Sequence, residues 1–202
     1  MFTGIIKELG LVKNIIHKGL SLELTIQAKL AVNLHPGDSI SVNGVCLTVT
    51  DRARDEFKVD VVAETMKKTT LGSLKIRDKV NMEPPLQANQ PLGGHIINGH
   101  IDGVGMIKNK LQKGDASTFE FSLPSEIRAL SKYIVEKGPI AIDGISLTVV
   151  EARTSSFTVS IIPFTLKNTT LGFRRIGDKV NIEVDILAKY VEKSLGSHTT
   201  SY

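Results

Sequence analysis

Ile40-Ser41-Val42-Asn43-Gly44-Val45-Cys46-Leu47-Thr48-Val49 reappears one hundred positions later as Ile140-Ala141-Ile142-Asp143-Gly144-Ile145-Ser146-Leu147-Thr148-Val149. The offset holds downstream. Thr65-Met66-Lys67-Lys68-Thr69-Thr70-Leu71-Gly72 lies over Thr165-Leu166-Lys167-Asn168-Thr169-Thr170-Leu171-Gly172, and Asp78-Lys79-Val80-Asn81 recurs unchanged at 178–181. Nineteen of the 44 positions from 40 to 83 are identical to their counterparts without a gap. Upstream the offset becomes 95, where Leu9-Gly10-Leu11-Val12-Lys13-Asn14 matches Val104-Gly105-Met106-Ile107-Lys108-Asn109. Each copy is therefore about ninety residues, and two copies are too few for a solenoid, which needs at least about three stacked units. The chain reads as two small, similar domains in tandem.

Within each copy the apolar period is two. Leu22, Leu24 and Ile26 alternate with Glu23, Thr25 and Gln27; Phe119, Phe121 and Leu123 alternate with Glu120 and Ser122. Phe57, Val59 and Val61 are echoed by Phe157, Val159 and Ile161. Such alternation marks half-buried strands, and His35-Pro36-Gly37-Asp38 is a turn between them. Several short strands in so few residues predict an all-β fold, a small closed barrel per copy with no exposed edge. Short helical turns are expected at 125–131 and 66–71. The division follows as an N-terminal barrel over 1–94, a C-terminal barrel over 95–184, and a tail over 185–202. In the tail Asp185 caps a helix whose Leu187, Val191 and Leu195, flanked by Ile186 and Tyr190, form one apolar stripe ending at Gly196. A short stripe is marginal alone, so it is expected to pair with other chains. The last residues, 197–202, are expected to fray.

Composition sets the outer bounds. At 202 residues and 22.0 kDa, with 41% hydrophobic and 23% charged residues, the chain is neither disordered nor fibrous and is long enough to bury a core. Its single cysteine excludes a disulfide framework and a Cys-rich zinc site. No apolar run is long enough to span a bilayer. Lys7 and Glu8 stand where a signal peptide would carry its apolar stretch, so a cytoplasmic protein is expected. The net charge is +4 with a pI near 9.1, yet bases and acids are interleaved. That pattern describes a solvated mixed surface and predicts no nucleic-acid partner.

Duplication also allows the copies to be compared. Gly44 and Gly144 are matched, as a tight turn requires, and Thr48 and Thr148 are either strand formers or hydroxyls for a ligand bound twice. The unmatched polar positions are candidates for asymmetric chemistry: Asn43 becomes Asp143, Cys46 becomes Ser146 and Gly37 becomes Lys137. His100 exists in one copy only, because Gly99-His100-Ile101 lies over Gly4-Ile5-Ile6. Each has an ordinary reading beside the functional one. Cys46 is either a small buried hydrophobe or a nucleophile, His100 is structural or catalytic, and Asp143 with Lys137 is a surface ion pair or part of a site. His95 and His100, five apart and without companion thiols or carboxylates, do not make a metal site. The Gly93 to Gly105 stretch lacks the lysine and hydroxyl of a P-loop, and no GxSxG or GxGxxG is present.

Met1-Phe2-Thr3-Gly4-Ile5, Asn43 to Val49, Gly93-Gly94-His95 through Gly99-His100-Ile101-Asp102, and Asp143 to Val149, taken in order, resemble the alpha-chain-type riboflavin synthase family. The resemblance runs from Met1 to about Leu195. It implies two similar six-stranded barrels of Greek-key type and a homotrimer held partly by the C-terminal helices. It also implies a dismutation of two 6,7-dimethyl-8-ribityllumazine molecules, without cofactor or metal, at a site shared between neighbouring chains. Two like substrates in unlike roles need two similar barrels that differ at polar positions.

Carried over by position, the resemblance makes Ser39, Cys46, His100, Lys137, Asp143, Ser146 and Thr148 the catalytic candidates. In this assignment His100 moves a proton, Cys46 or Ser146 stabilises or adds to C7 of a bound lumazine, and Asp143 and Lys137 orient groups or hold charge. Gly4, Ile5, Ile6, Thr48, Ala63 and Thr65 are expected around the N-barrel ligand, and Gly99, Ile101, Thr148, Ile162, Pro163 and Thr165 around the C-barrel one. The family's second copy commonly reads Pro-Glu-Thr-Leu, whereas here Phe164 replaces the acid and Glu64 keeps it in the first copy.

Overall fold

The computed structural model describes residues 1–113 and 116–196, so the tail at 197–202 lies outside the described residues. The first repeat builds β1 (Glu8–Lys18), β2 (Ser21–Gln27), β3 (Ser39–Val42), β4 (Val45–Ala53), β5 (Glu56–Val61) and β6 (Lys79–Glu83), with α1 (Ala63–Lys68) after β5. The second builds β7 (Gly103–Lys113), β8 (Ala116–Ser122), β9 (Pro139–Ile142), β10 (Ile145–Ala152), β11 (Ser156–Ile161) and β12 (Lys179–Val184), with α2 (Pro163–Asn168) after β11. Each set closes into an antiparallel barrel: β1-β2-β5-β4-β3-β6, and in the same order β7-β8-β11-β10-β9-β12. α3 (Ile186–Gly196) follows the second barrel.

The alternation read from the sequence is the in-out alternation of these walls. Val12, Leu24, Ile26, Phe57 and Val59 are fully buried in the first barrel. In the second, Phe119 and Phe121 replace Leu24 and Ile26, and Phe121 stacks on Phe157 at 5.4 Å between centroids. Bulges bend the long strands at matched places, between Val12 and Asn14 and between Ile107 and Asn109, which helps a sheet of only six strands to close. The helical turn expected at 66–71 is two pieces: α1 starts at Ala63 and stops before Thr69, and a 3-10 turn runs over Thr70–Ser73. Thr69 makes the break, its hydroxyl donating to the Thr65 carbonyl and accepting from Leu71 N–H. The turn expected at 125–131 is a 3-10 helix over Ser125–Tyr133.

The hairpin tips join the barrels. Asn43 and Gly44, and likewise Asp143 and Gly144, have positive φ, as a two-residue turn of type I′ demands. The tips touch, and a Cβ on Gly44 would lie 2.6 Å from the backbone nitrogen of Gly144. Around them Asn81 and Asn181 are buried and reach into opposite barrels. Asn81 Nδ2 donates to the Asp143 carbonyl (2.9 Å), Asn181 Nδ2 to the Asn43 carbonyl (2.8 Å), and their Oδ1 atoms accept from Thr170 and Thr70 N–H (both 2.7 Å). The repeated Asp-Lys-Val-Asn thus places one asparagine from each repeat in this seam. Buried amides so satisfied fix one mutual orientation of the barrels.

Asp185 caps α3, its Oδ1 accepting from Leu187 N–H at 3.0 Å. Leu187, Tyr190, Val191 and Leu195 lie exposed along it. No helix among the described residues is long and apolar enough to cross a membrane.

Candidate active site

Each repeat begins with a leader that crosses to the other barrel. Phe2 and Ile97 pair backbone to backbone (2.7 and 3.1 Å) and are buried together with Ala141. Beyond them Gly4 gives its carbonyl to Ser146 N–H of β10, and Gly99 gives its carbonyl to Cys46 N–H of β4, both at 2.9 Å. Ile6 packs on the core of the second barrel and Ile101 on that of the first. Against the grouping carried over from the resemblance, the leaders are exchanged between the barrels. Gly4, Ile5 and Ile6 stand with Ser146 and Thr148, whereas Gly99, His100 and Ile101 stand with Cys46 and Thr48. Both glycines have φ of +79° and no room for a side chain, since a Cβ on Gly99 would lie 2.5 Å from that of Cys46 and one on Gly4 as close to Ser146.

Two equivalent outer faces result. On β4 the side chains of Cys46 and Thr48 point outward, with Ser39 of β3 paired to Thr48. On β10 Ser146 and Thr148 do the same, with Pro139 opposite Thr148. Ala63 and Pro163 open the helices after β5 and β11, whose pairing with β4 and β10 brings them towards these faces, and Thr65 and Thr165 are partly buried in the first turn. Ile162 is exposed, as is Phe164, at 73%. Ile5, Ile101, Ala63 and Pro163 line four different cavities of about 580 to 740 Å³, and Ser39, Cys46, Lys137, Ser146 and Thr148 line none of those four. Within the chain the candidates lie on two open faces, one on each barrel.

The two faces differ in their polar groups. The partly buried Ser146 Oγ lies 2.7 Å from Nδ1 of His95, whose pKa is lowered by burial against the opposing charge of Asp185. A neutral imidazole therefore faces the serine hydroxyl. His95 was not among the expected site residues: it precedes the aligned part of the repeat, so comparing the copies passes over it. Among the described residues Cys46 has no such partner, and His100, next to Gly99 in the chain, is exposed. Lys137 is exposed with φ +65°, at the place where the first repeat has Gly37 at +96°.

Asp143 does not pair with Lys137. It is fully buried in the seam, where Oδ1 accepts from Asn181 N–H and Oδ2 pairs with Arg174 Nη2 at 3.0 Å. Burial raises its carboxyl above the usual range, and the guanidinium opposes that rise. No group of three or more His, Cys, Asp or Glu among the described residues is placed to hold a metal ion.

Paired barrels with matched outward hydroxyls define a class of duplicated ligand-binding protein. The model of the lumazine binding domain matches residues 3–84 and 98–185, one match per barrel. The chain is 47% identical over 196 residues to a riboflavin synthase of Actinobacillus pleuropneumoniae, covering 96% of this chain and 90% of that one. It is 41% identical, with the same coverage, to a riboflavin synthase of Bacillus subtilis (strain 168). Among solved structures it resembles LumP complexed with riboflavin, with TM-score 0.83, 25% identity, and 91% of this chain and 99% of that chain covered. The chain belongs to the riboflavin synthase family.

Proposed function

We propose that this chain catalyses the dismutation of two 6,7-dimethyl-8-ribityllumazine molecules. One gives up a four-carbon unit to the other, yielding riboflavin and 5-amino-6-ribitylaminopyrimidinedione with no cofactor consumed. The observation that carries the reading is the pair of half-sites, alike in backbone and unlike in polar groups. Cys46 and Thr48 with the Gly99 leader form one; Ser146 and Thr148 with the Gly4 leader form the other. Like backbones suit like substrates, and unlike polar groups suit their opposite roles as donor and acceptor.

The 7-methyl protons are acidic because the ring delocalises the anion, so a modest base suffices. His95 with Ser146 supplies a neutral imidazole and a hydroxyl in one half-site; Cys46 and His100 supply a thiol and a second imidazole in the other. Ser39, Thr48 and Thr148 offer hydroxyls to the ribityl chain, and the Lys137 ammonium is available to stabilise ring anion charge. Asp143, buried beside Arg174, acts by holding the seam. The exposed stripe of α3 supports a homotrimer in which a first-barrel half-site of one chain meets a second-barrel half-site of its neighbour. The cellular setting is the cytoplasm.

The test is purified protein with 6,7-dimethyl-8-ribityllumazine and chelator. One riboflavin per two lumazines consumed is expected. Binding without turnover would make the protein a carrier, and an absence of binding would leave only an assembly role for α3.

A further inference from the structure

Two buried glutamates stand behind the leaders. Glu83 at the end of β6 is 2% exposed and Glu183 in β12 is 5% exposed. Glu83 accepts Thr3 N–H (2.7 Å), Thr3 Oγ1–H (2.6 Å) and Gly4 N–H (2.9 Å). Glu183 accepts Asn98 N–H (2.7 Å) and Gly99 N–H (3.0 Å). Gly99 is thus gripped on both sides, its N–H by Glu183 and its carbonyl by Cys46 N–H. Beyond the Phe2–Ile97 bridge, Asn98 and Gly99 lie outside any strand, so the carboxylate and the Cys46 N–H supply what a neighbouring strand would.

We propose that Glu183 is a positioning residue: its carboxylate latches the Gly99 leader over Cys46 and sets His100 beside that thiol. Glu83 does the same for the Gly4 leader over Ser146. The latches are unequal. Glu83 has a third donor in the Thr3 hydroxyl, whereas Glu183 has two donors and the charges of Asp102 and Lys189 nearby. Burial pushes its carboxyl up to about 7, Asp102 adding to the rise and the two N–H groups and Lys189 opposing it. Asp102 is itself fixed by Val184 N–H at 2.9 Å and by Lys189 Nζ. The consequence for turnover rests on the reaction proposed above, but the covering of Cys46 does not.

Cys46 is the only cysteine, so its reaction with an aromatic disulfide reports on this leader alone. The thiolate attacks one sulfur, a mixed disulfide forms and the aromatic thiolate leaves, which gives a visible signal. Glu183→Gln sets an amide N–H₂ against a backbone donor and releases the leader. In native buffer the Cys46 rate should rise at least about fivefold in Glu183→Gln and stay within about twofold of the parent in Glu83→Gln, the local opening being confined to one leader. In lumazine turnover, kcat of Glu183→Gln should fall at saturating substrate.

An unchanged Cys46 rate in Glu183→Gln would overturn the latch, as would an equal rise in both variants, which would mean general loosening. Hydrogen exchange on the unaltered protein supplies a readout that needs no variant. Asn98 and Gly99 amides should exchange as slowly as those of β12 although they lie outside any strand, and fast exchange there refutes the proposal. Should turnover be absent from the parent protein, the thiol and exchange results still decide the latch.

Discussion

Replacing Asp143 by Asn tests whether this residue acts in chemistry or in the seam, and the first repeat supplies the control. There Asn43 holds the equivalent place and its Oδ1 accepts Asn81 N–H at 2.8 Å, as Asp143 Oδ1 accepts Asn181 N–H. The position of Arg174 is taken in the first repeat by Leu74, which packs on the barrel core. Asp143→Asn therefore keeps one hydrogen bond and deprives Arg174 of its counter-charge. Breaking a buried pair costs about 3–5 kcal/mol when the remaining charge stays buried. Arg174 is 24% exposed in its side chain, so its guanidinium partly regains water, and about 2 kcal/mol is the expected loss. For a chain of this length that lowers the melting temperature by about 4–8 °C.

The double variant Asp143→Asn with Arg174→Leu rebuilds the first repeat's arrangement. It should recover to within about 1 kcal/mol of the parent, a coupling that a double-mutant cycle isolates. Urea titration followed by far-ultraviolet circular dichroism measures all four proteins, and lumazine turnover is read on each. A double variant no more stable than the single one would refute the account of the pair. Recovered stability without recovered turnover would return Asp143 to the chemistry.

Lys137→Gly tests the strain at φ +65°. Relief of a left-handed side chain, worth about 1–2 kcal/mol, outweighs the added freedom of the unfolded glycine, about 0.5–1 kcal/mol. Stability should hold or rise slightly while turnover falls; unaltered turnover removes Lys137 from the site. For His95→Gln, which keeps a hydrogen-bonding partner for Ser146 but no base, kcat should fall at least about 10²-fold, and a full kcat would assign the proton transfer elsewhere. The last concerns pH. Glu183 binds its proton more tightly when folded, so its contribution to stability is complete below about pH 4.5 and is lost as pH rises through about 7. A rise from 4.5 to about 7 corresponds to about 3 kcal/mol. The stability difference between parent and Glu183→Gln should shift by that order across the window, and a difference independent of pH would mean that Glu183 titrates normally.

The barrels were legible because period-two alternation and a hundred-residue echo are properties of the chain itself. Phe57 and Phe157, or the Asn-Gly and Asp-Gly tips, announce their places wherever the rest of the molecule goes. The grouping of site residues was not legible in the same way. Contiguity puts Ile6 with the strand that follows it, and only the folded chain lays it on the opposite barrel. Gly4 and Gly99 carried a trace of this, being glycines at matched positions, but a glycine does not say what approaches it. Asp143 shows a related limit: an acid where the other copy has an amide looks like added chemistry, and spacing does not reveal a guanidinium partner thirty-one residues away. His95 escaped because it precedes the aligned part of the second repeat, so the first repeat has no position to set against it.

The exchanged leaders bear on how a duplicated protein can hold two unlike half-sites. If each leader served its own barrel, either half-site could diverge or loosen by itself. Here the backbone that covers Cys46 is held by Glu183 of the second barrel, and the backbone that covers Ser146 by Glu83 of the first. Both depend on the mutual orientation that Asn81 and Asn181 fix. A shift of one barrel against the other would therefore disturb both half-sites together. For the proposed reaction, in which two bound substrates must meet in one geometry, that coupling would keep donor and acceptor places in register while Cys46, Ser146, His95 and His100 remain free to differ.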